Sequence, residues 1–206
     1  MIISISGLIG SGKDTIADYL VNRHGFRRQS WAGTLKDAVS AVFGWERDLL
    51  EGKTLQSRAW RELPDHWWSE RLGQTITPRK VLQEWGTDVA RNGYHDEIWI
   101  ASLENKLRTL DEDVVITDSR FPNEVASVKR MGGITVRVSR GSDPVWVGEY
   151  LSGGKTIDFT TKWKDVHASE YSSVGLKYDY NIDNNGSYRH LYKQINDLLQ
   201  HHRVSK

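Results

Sequence analysis

The chain has 206 residues, a formal net charge of +1 and no cysteine. Near-neutral charge leaves no global field to recruit nucleic acid or an anionic membrane, and the missing thiols exclude disulfides, thiolate metal sites and a cysteine nucleophile. The length suits one well-filled core over residues 1–206 with a small appended lid. The first residues lack a signal-peptide pattern and no apolar run approaches membrane-spanning length, so a cytoplasmic protein with no membrane partner is expected.

The first apolar run, Ile2-Ile3-Ser4-Ile5-Ser6, reads as a buried strand. It leads directly into Gly7-Leu8-Ile9-Gly10-Ser11-Gly12-Lys13-Asp14-Thr15, which meets the spacing G-x-x-x-x-G-K. A helix-compatible segment, 14–22, follows, with Ile16 and Leu20 on its inner face. Glycines let successive backbone N–H groups point at phosphate oxygens. The helix N-terminus adds its positive end, and Lys13 adds a mobile full charge. One residue departs from the usual loop: Asp14 stands where most such loops place the Ser or Thr that holds Mg²⁺, and Thr15 comes one later. A nucleoside polyphosphate is the expected ligand.

Residues 27–31 form a second candidate strand, and Leu35, Val39 and Val42 mark the inner face of the next helix. The stretch 46–78 breaks the alternation, being polar and rich in arginine and tryptophan. Six of the nine tryptophans (Trp45, Trp60, Trp67, Trp68, Trp85 and Trp99) lie in one middle stretch of the chain. Arg58, Arg61 and Arg71 interleaved with aromatics could bind single-stranded nucleic acid, but Glu51, Glu62, Asp65 and Glu70 offset that charge. A substrate cap or a subunit interface is the favoured reading, with Trp67-Trp68 as a hydrophobic contact.

Arg79 and Lys80 sit on a helical segment that leads into Gly86-Thr87-Asp88. Arginine can clamp phosphate oxygens, whereas the bland reading of this pair is a solvated helix face. Trp99 opens the stripe Leu103, Leu107, Leu110, so periodicity alone assigns it to core packing. Residues 113–117 read as a buried strand that ends at Asp118, followed by Arg120 and Glu124. An acidic residue at the C-terminal end of a parallel strand beside a phosphate loop can hold Mg²⁺ or orient a substrate. The competing reading is a helix cap with an exposed Arg–Glu pair.

Pro122 suits a first helical turn, Val125 and Val128 follow, and Gly132-Gly133 ends that helix. Strands are expected at 134–138 and 180–182, with Ser187 capping a last helix striped by Leu191, Ile195, Leu198 and Leu199. Segment 141–166 is glycine-containing and aperiodic, like a lid. Its Leu151-Ser152-Gly153-Gly154-Lys155 is not the transporter-ATPase signature, because it follows Asp118 instead of preceding the second acidic strand. No Asn-Lys-x-Asp guanine motif occurs, and His167 lacks the oriented base and oxyanion site of a hydrolase. The alternation argues for an α/β fold with a parallel sheet and ligands beyond the C-terminal strand ends.

Five motifs in order resemble the deoxynucleoside monophosphate kinases of tailed bacteriophages: Gly12-Lys13-Asp14-Thr15, Ala32-Gly33-x-x-Lys36-Asp37, Gly86-Thr87-Asp88 with Trp99, Asp118-x-Arg120-x-x-x-Glu124, and His167-x-Ser169-Glu170. The resemblance implies a P-loop kinase fold, a five-stranded parallel sheet flanked by helices with inserted substrate-binding and lid segments. It implies ATP and Mg²⁺, with ATP at Gly10, Ser11, Gly12, Lys13, Asp14 and Thr15, adenine near Asn184 and Gly186, and Arg140 at the entry to the lid. The deoxynucleoside monophosphate would meet Lys36, Arg58, Arg79, Gly86, Thr87, Asp88, Trp99, Arg120, Glu124 and Ser169. Lys13, Arg120 and Asp118 are the implied catalytic residues, and Asp14, Thr15 and Asp118 the implied metal contacts, directly or through water. The family and the exposed-looking tryptophans together suggest a homodimer, and a phage origin would set the protein in host cytoplasm. Two other readings stay open: a P-loop kinase of another small acceptor such as dephospho-coenzyme A, and a non-catalytic nucleotide-gated protein that binds nucleic acid.

Overall fold

The computed structural model describes residues 1–166 and 168–204, apart from the side chains of residues 157, 168, 169 and 204. The chain forms two compact units: unit 1, Met1–Ser30 with Asp111–Lys206, and unit 2, Trp31–Leu110. Unit 1 holds a five-stranded sheet of β1 (Ile2–Ser6), β2 (Arg27–Gln29), β3 (Val114–Ile116), β4 (Ile134–Ser139) and β5 (Tyr180–Asp183). The spatial order is β2-β3-β1-β4-β5. Every pairing is parallel, with Ile3 opposite both Val115 and Ile134.

A parallel sheet covered on both faces needs apolar residues on both. The strands comply: Ile3, Ile5, Val114, Val115, Ile116, Val136 and Val138 are all buried. Two polar residues interrupt β1, and each has a partner. Ser4 Oγ donates to Ser119 Oγ at 2.6 Å, and Ser6 Oγ donates to the Ser119 carbonyl at 3.0 Å. These buried bonds tie the central strand to the corner that carries Asp118 and Arg120. Helix α1 (Lys13–His24) packs Ile16, Ala17 and Leu20 on this core and ends at Gly25, whose left-handed φ of 73° closes the helix.

Unit 2 is helical: α2 (Gly33–Phe43), α3 (Arg47–Glu51), α4 (Leu55–Trp60), α5 (His66–Leu72), α6 (Pro78–Glu84), a π-helical segment (Trp85–Asn92) and α7 (Ile98–Leu107). The stretch 46–78 that breaks the strand–helix alternation contains three short helices. They are too short for periodicity to reveal, but their caps are local. Thr54 and Ser57 cap α4 reciprocally, Asp65 accepts from Trp68 N at the start of α5, and Thr77 with Pro78 starts α6.

The tryptophans are core material, not a surface array. Trp45 is buried, and Trp60, Trp68, Trp85 and Trp99 pack against the cluster of Leu35, Val39, Leu50, Ile76 and Val81. Trp68 Nε1 donates to the Phe43 carbonyl at 3.0 Å, and Trp45 Nε1 to Asp65 at 2.8 Å. Of the six, only Trp67 is largely exposed, so the expected Trp67-Trp68 surface pair is half internal and the tryptophan argument for a homodimer shrinks to one ring. The inner face of α2 also differs from expectation. Val42 is 53% exposed, and Phe43 turns inward to stack on Trp45.

The chain then returns to unit 1 with α8 (Pro122–Arg130), α9 (Val145–Gly153), α10 (Ile157–Lys162), α11 (Ala168–Tyr171) and α12 (Tyr188–Val204). Pro122 takes the first turn of α8 as expected. Segment 141–166, expected to be an aperiodic lid, forms α9 and α10 around Trp146, Val147, Phe159, Tyr171 and Val174. Ser187 Oγ accepts from His190 N at the head of α12, whose Leu191, Ile195, Leu198 and Leu199 are all buried. Among the described residues, no helix is long and apolar enough to cross a membrane.

Ile5 is fully buried at the centre of the sheet. Replacing it by alanine is expected to lower the unfolding free energy by about 3 kcal/mol. Chemical denaturation measures this, and a loss no larger than that of an exposed substitution would contradict the assigned core.

Candidate active site

The loop after β1 has the geometry of an anion cradle. Gly7, Gly10 and Gly12 all take positive φ, at 151°, 79° and 100°. Two of these positions have no room for a side chain. A Cβ on Gly7 would lie 2.4 Å from the Val138 carbonyl oxygen, and one on Gly12 would lie 2.2 Å from Asn184 Nδ2. Ser11 is buried, and its Oγ has no hydrogen-bond partner among the described residues. An orphaned hydroxyl inside a glycine turn at a helix N-terminus fits a bound phosphate oxygen.

Lys13 Nζ donates to the loop's own carbonyls, to Gly7 O at 2.8 Å and Leu8 O at 2.9 Å. Burial first, and then the Arg120 charge, hold its pKa below the ordinary lysine value, while Glu170 and Asp14 pull the other way. Asn184, expected beside the adenine, bonds the loop itself: its Nδ2 donates to the Ser11 carbonyl at 2.8 Å. Its own N–H donates to Ser139 O, and Asn185 Oδ1 accepts from Gly141 N. The phosphate loop, the turn after β5 and the exit of β4 are thereby joined. Gly186 and Arg140 are exposed in these turns.

Asp14 turns its carboxylate towards Arg28, 3.3 Å away, and Arg28 also bonds Asp18. Thr15 is half-buried on α1, and Asp118 is half-buried after β3. No cluster of three acidic or histidine residues suited to a metal occurs among the described residues. Glu124 is buried and accepts from the backbone N–H groups of Arg120, at 2.7 Å, and Phe121, at 3.1 Å. This carboxylate therefore shapes the corner that presents Arg120. Arg120 Nη1 lies 3.2 Å from Glu170 Oε1. His167 and the Ser169 side chain lie outside the described residues.

Unit 2 has its own cationic cluster. Lys36 Nζ bonds Glu51 at 2.8 Å, and Arg47 bridges Glu51 and Asp37. The two cations lower the Glu51 pKa to about 2, against its partial burial. Arg58 Nε donates to Gly52 O at 2.9 Å, and Arg79 Nε to Glu62 at 2.8 Å. Arg61, in sequence only one member of a charged run, stands among them. Its guanidinium lies where a Cβ on Gly52 would be, at 2.2 Å, and its buried Nε has no partner among the described residues. Burial, and next the Arg79 charge, push its pKa below the ordinary value. Gly52, with φ 64°, is the sequence signal that could have located this seat.

Gly86, Thr87 and Asp88 lie on the π-helical segment, a wide turn that proteins often reserve for functional sites. Gly86 is buried, because a Cβ there would lie 2.9 Å from Leu35 Cδ2, while Thr87 and Asp88 are exposed. Trp99 Nε1 donates to the Gly86 carbonyl at 2.9 Å. The ring is half-buried against the tryptophan cluster, as its periodicity indicates, and its N–H braces the motif.

No protein-family model matches the chain. A protein of Acanthamoeba polyphaga mimivirus that bears the name deoxynucleotide monophosphate kinase is 31% identical over 210 residues, 95% of this chain and 94% of its own length. The deoxynucleoside-5'-monophosphate kinase of Escherichia phage T5 is 52% identical over 50 residues, 24% of this chain and 20% of the phage protein. Among solved structures, the dephospho-CoA kinase of Campylobacter jejuni matches 97% of this chain and 95% of its own with a TM-score of 0.51 and 14% identity, a likeness of fold.

Two outcomes follow from this geometry. Gly12→Ala combines a left-handed backbone with a collision against Asn184, so it is expected to abolish nucleotide binding while circular dichroism stays native; wild-type affinity would contradict the cradle. Glu51 has a depressed folded pKa, so its contribution is present above the unfolded value of 4.5 and lost as pH falls through about 2. Glu51→Gln is expected to cost about 1–2 kcal/mol at pH 7, after allowance for solvent screening of this half-buried group, and almost nothing at pH 2. Denaturant titrations at several pH values measure the difference, and a pH-independent difference would refute it.

Proposed function

We propose that this chain, which belongs to the deoxynucleoside monophosphate kinase family, transfers the terminal phosphoryl group of ATP to a deoxynucleoside 5'-monophosphate, giving the diphosphate and ADP. The observation that carries this reading is the glycine cradle with its orphaned Ser11 hydroxyl and adjoining Lys13, set beside the Arg120 corner.

The nucleophile is an oxygen of the acceptor phosphate. A phosphate monoester has a second pKa of roughly 6, so that oxygen is already anionic at neutral pH and no general base is required. The protein's task is to bring two anions together and to stabilise the charge spread over the transferring group. In our reading the loop N–H groups of Gly10, Ser11 and Gly12 and the Lys13 ammonium bind the donor phosphates. Lys13 leaves the Gly7 and Leu8 carbonyls to do so. Arg120 binds the phosphate in transit, and Glu124 keeps it aimed through the backbone.

Recognition of the acceptor is assigned to Lys36, Arg58, Arg79, Gly86, Thr87, Asp88, Trp99 and Ser169, with Arg61 added by its unpaired guanidinium nitrogen. Asn184 supports the loop, and Gly186 and Arg140 are assigned to the adenosine side. Mg²⁺, when bound, would supply charge neutralisation for the phosphates; Asp14, Thr15 and Asp118 would hold it, directly or through water. Segment 141–166 is read as the element that excludes water, which would otherwise compete as acceptor. The setting we infer is cytoplasmic, that of the host for a viral source, and a homodimer rests on the family resemblance.

The decisive test is ADP release from ATP across every deoxy- and ribonucleoside monophosphate, with dephospho-coenzyme A as a further acceptor. Release with at least one deoxynucleoside monophosphate is expected, and Lys13→Ala should reduce it by on the order of 10²–10³ with the fold intact. Silence on every monophosphate, or near-normal transfer by that variant, would overturn the reading.

A further inference from the structure

Lys13 and Arg120, both read above as phosphate-binding groups, carry like charges that oppose each other, and a carboxylate stands beside Arg120. Arg120 Nη1 is 3.2 Å from Glu170 Oε1, and the Glu170 side chain is only 19% exposed. Glu170 lies on α11, whose Tyr171 is buried among Tyr150 and Phe159, so the carboxylate stands on an anchored support. Its charge also reaches Lys13, where it opposes the effects of burial and of Arg120. Lys13 meanwhile rests on loop carbonyls. Lys13, Arg120 and Glu170 thus act on one another within unit 1, with the Asp14 carboxylate also acting on Lys13.

We propose that Glu170 is a positioning residue that occupies, on Arg120, the place of a phosphate oxygen, holding the guanidinium ready until a phosphate displaces the carboxylate. The proposal rests on the reading of Arg120 as a phosphate-binding group. Its chemistry is an exchange of one oxyanion for another on the same guanidinium, a bidentate donor suited to both. No bond is made or broken. The exchange has a definite consequence: the carboxylate competes with the incoming phosphate, so affinity is sacrificed for an arginine that is aimed in advance. Because α11 follows segment 141–166 in the chain, release of Arg120 also frees Glu170 on the element joined to that segment.

Glu170→Gln keeps the shape and removes the charge. Titration calorimetry with inorganic pyrophosphate on the full chain is expected to show binding tightened about three- to ten-fold. The same substitution in an Arg120→Ala background is expected to tighten it less, because the competition is for Arg120. Equal or greater tightening in that background overturns the proposal, as does unchanged or weaker binding by Glu170→Gln. If Arg120→Ala alone binds pyrophosphate as tightly as the wild-type chain, the reading of Arg120 fails as well, which separates the two failures. Parallel titrations with ATP alone and with each deoxynucleoside monophosphate alone show whose phosphate displaces the carboxylate. Should the glutamine variant not fold, the arginine side-chain NMR signals of the wild-type chain give an independent readout. The Arg120 signal, assigned by its loss in Arg120→Lys, is expected to shift on pyrophosphate saturation, and an unmoved signal overturns the exchange.

Discussion

Parallel pairing of β1 with β3 on one side and β4 on the other is the constraint on which unit 1 depends. In a parallel sheet all strands deliver their C-terminal ends to one edge. The phosphate loop leaves β1 there, the Asp118–Arg120 corner leaves β3 there, and the exit of β4 supplies the carbonyl that bonds Asn184. Ser4 and Ser6 then secure the arrangement through Ser119. Two hydroxyls in an otherwise apolar strand would be costly without partners. Here they serve as the link between the central strand and the corner that carries the arginine.

Partly buried cations are unfavourable without anions or other acceptors beside them. Each unit meets this within itself. Unit 1 rests Lys13 on backbone carbonyls and pairs Arg120 with Glu170. Unit 2 places Glu51 between Lys36 and Arg47, and Glu62 on Arg79. Arg61 is the exception, with an unsatisfied buried nitrogen on a glycine seat. Such a nitrogen is tolerated where a ligand supplies the missing acceptor.

Much of unit 1 is legible in the order of its residues, for reasons that are local. The strand–loop–helix of residues 2–24, the proline start of α8 and the serine cap of α12 each follow from neighbouring residues. Unit 2 is harder to read. Its helices are five to seven residues long from α3 to α6, so hydrophobic period carries little information, and only the caps Thr54, Asp65 and Thr77 mark them. The tryptophans resemble surface groups because they sit among charges in sequence. The N–H groups of Trp45 and Trp68 find a carboxylate and a carbonyl partner, which lets those rings pack inward.

By itself, then, the sequence determined the phosphate loop, the parallel α/β class and the order of motifs that mark the kinase family. These depend on residue type and on spacing along a few turns of chain. Only the tertiary structure decided which side chain each charged residue meets. Asp14 belongs to Arg28, Glu124 to the backbone of its own corner, Glu170 to Arg120 and Asn184 to the loop. Glu170 and Arg120 are 50 residues apart and Asn184 and Ser11 are 173 apart. Contacts of that kind leave no periodic trace in the chain, because they are fixed by the strand order and the packing of helices upon it.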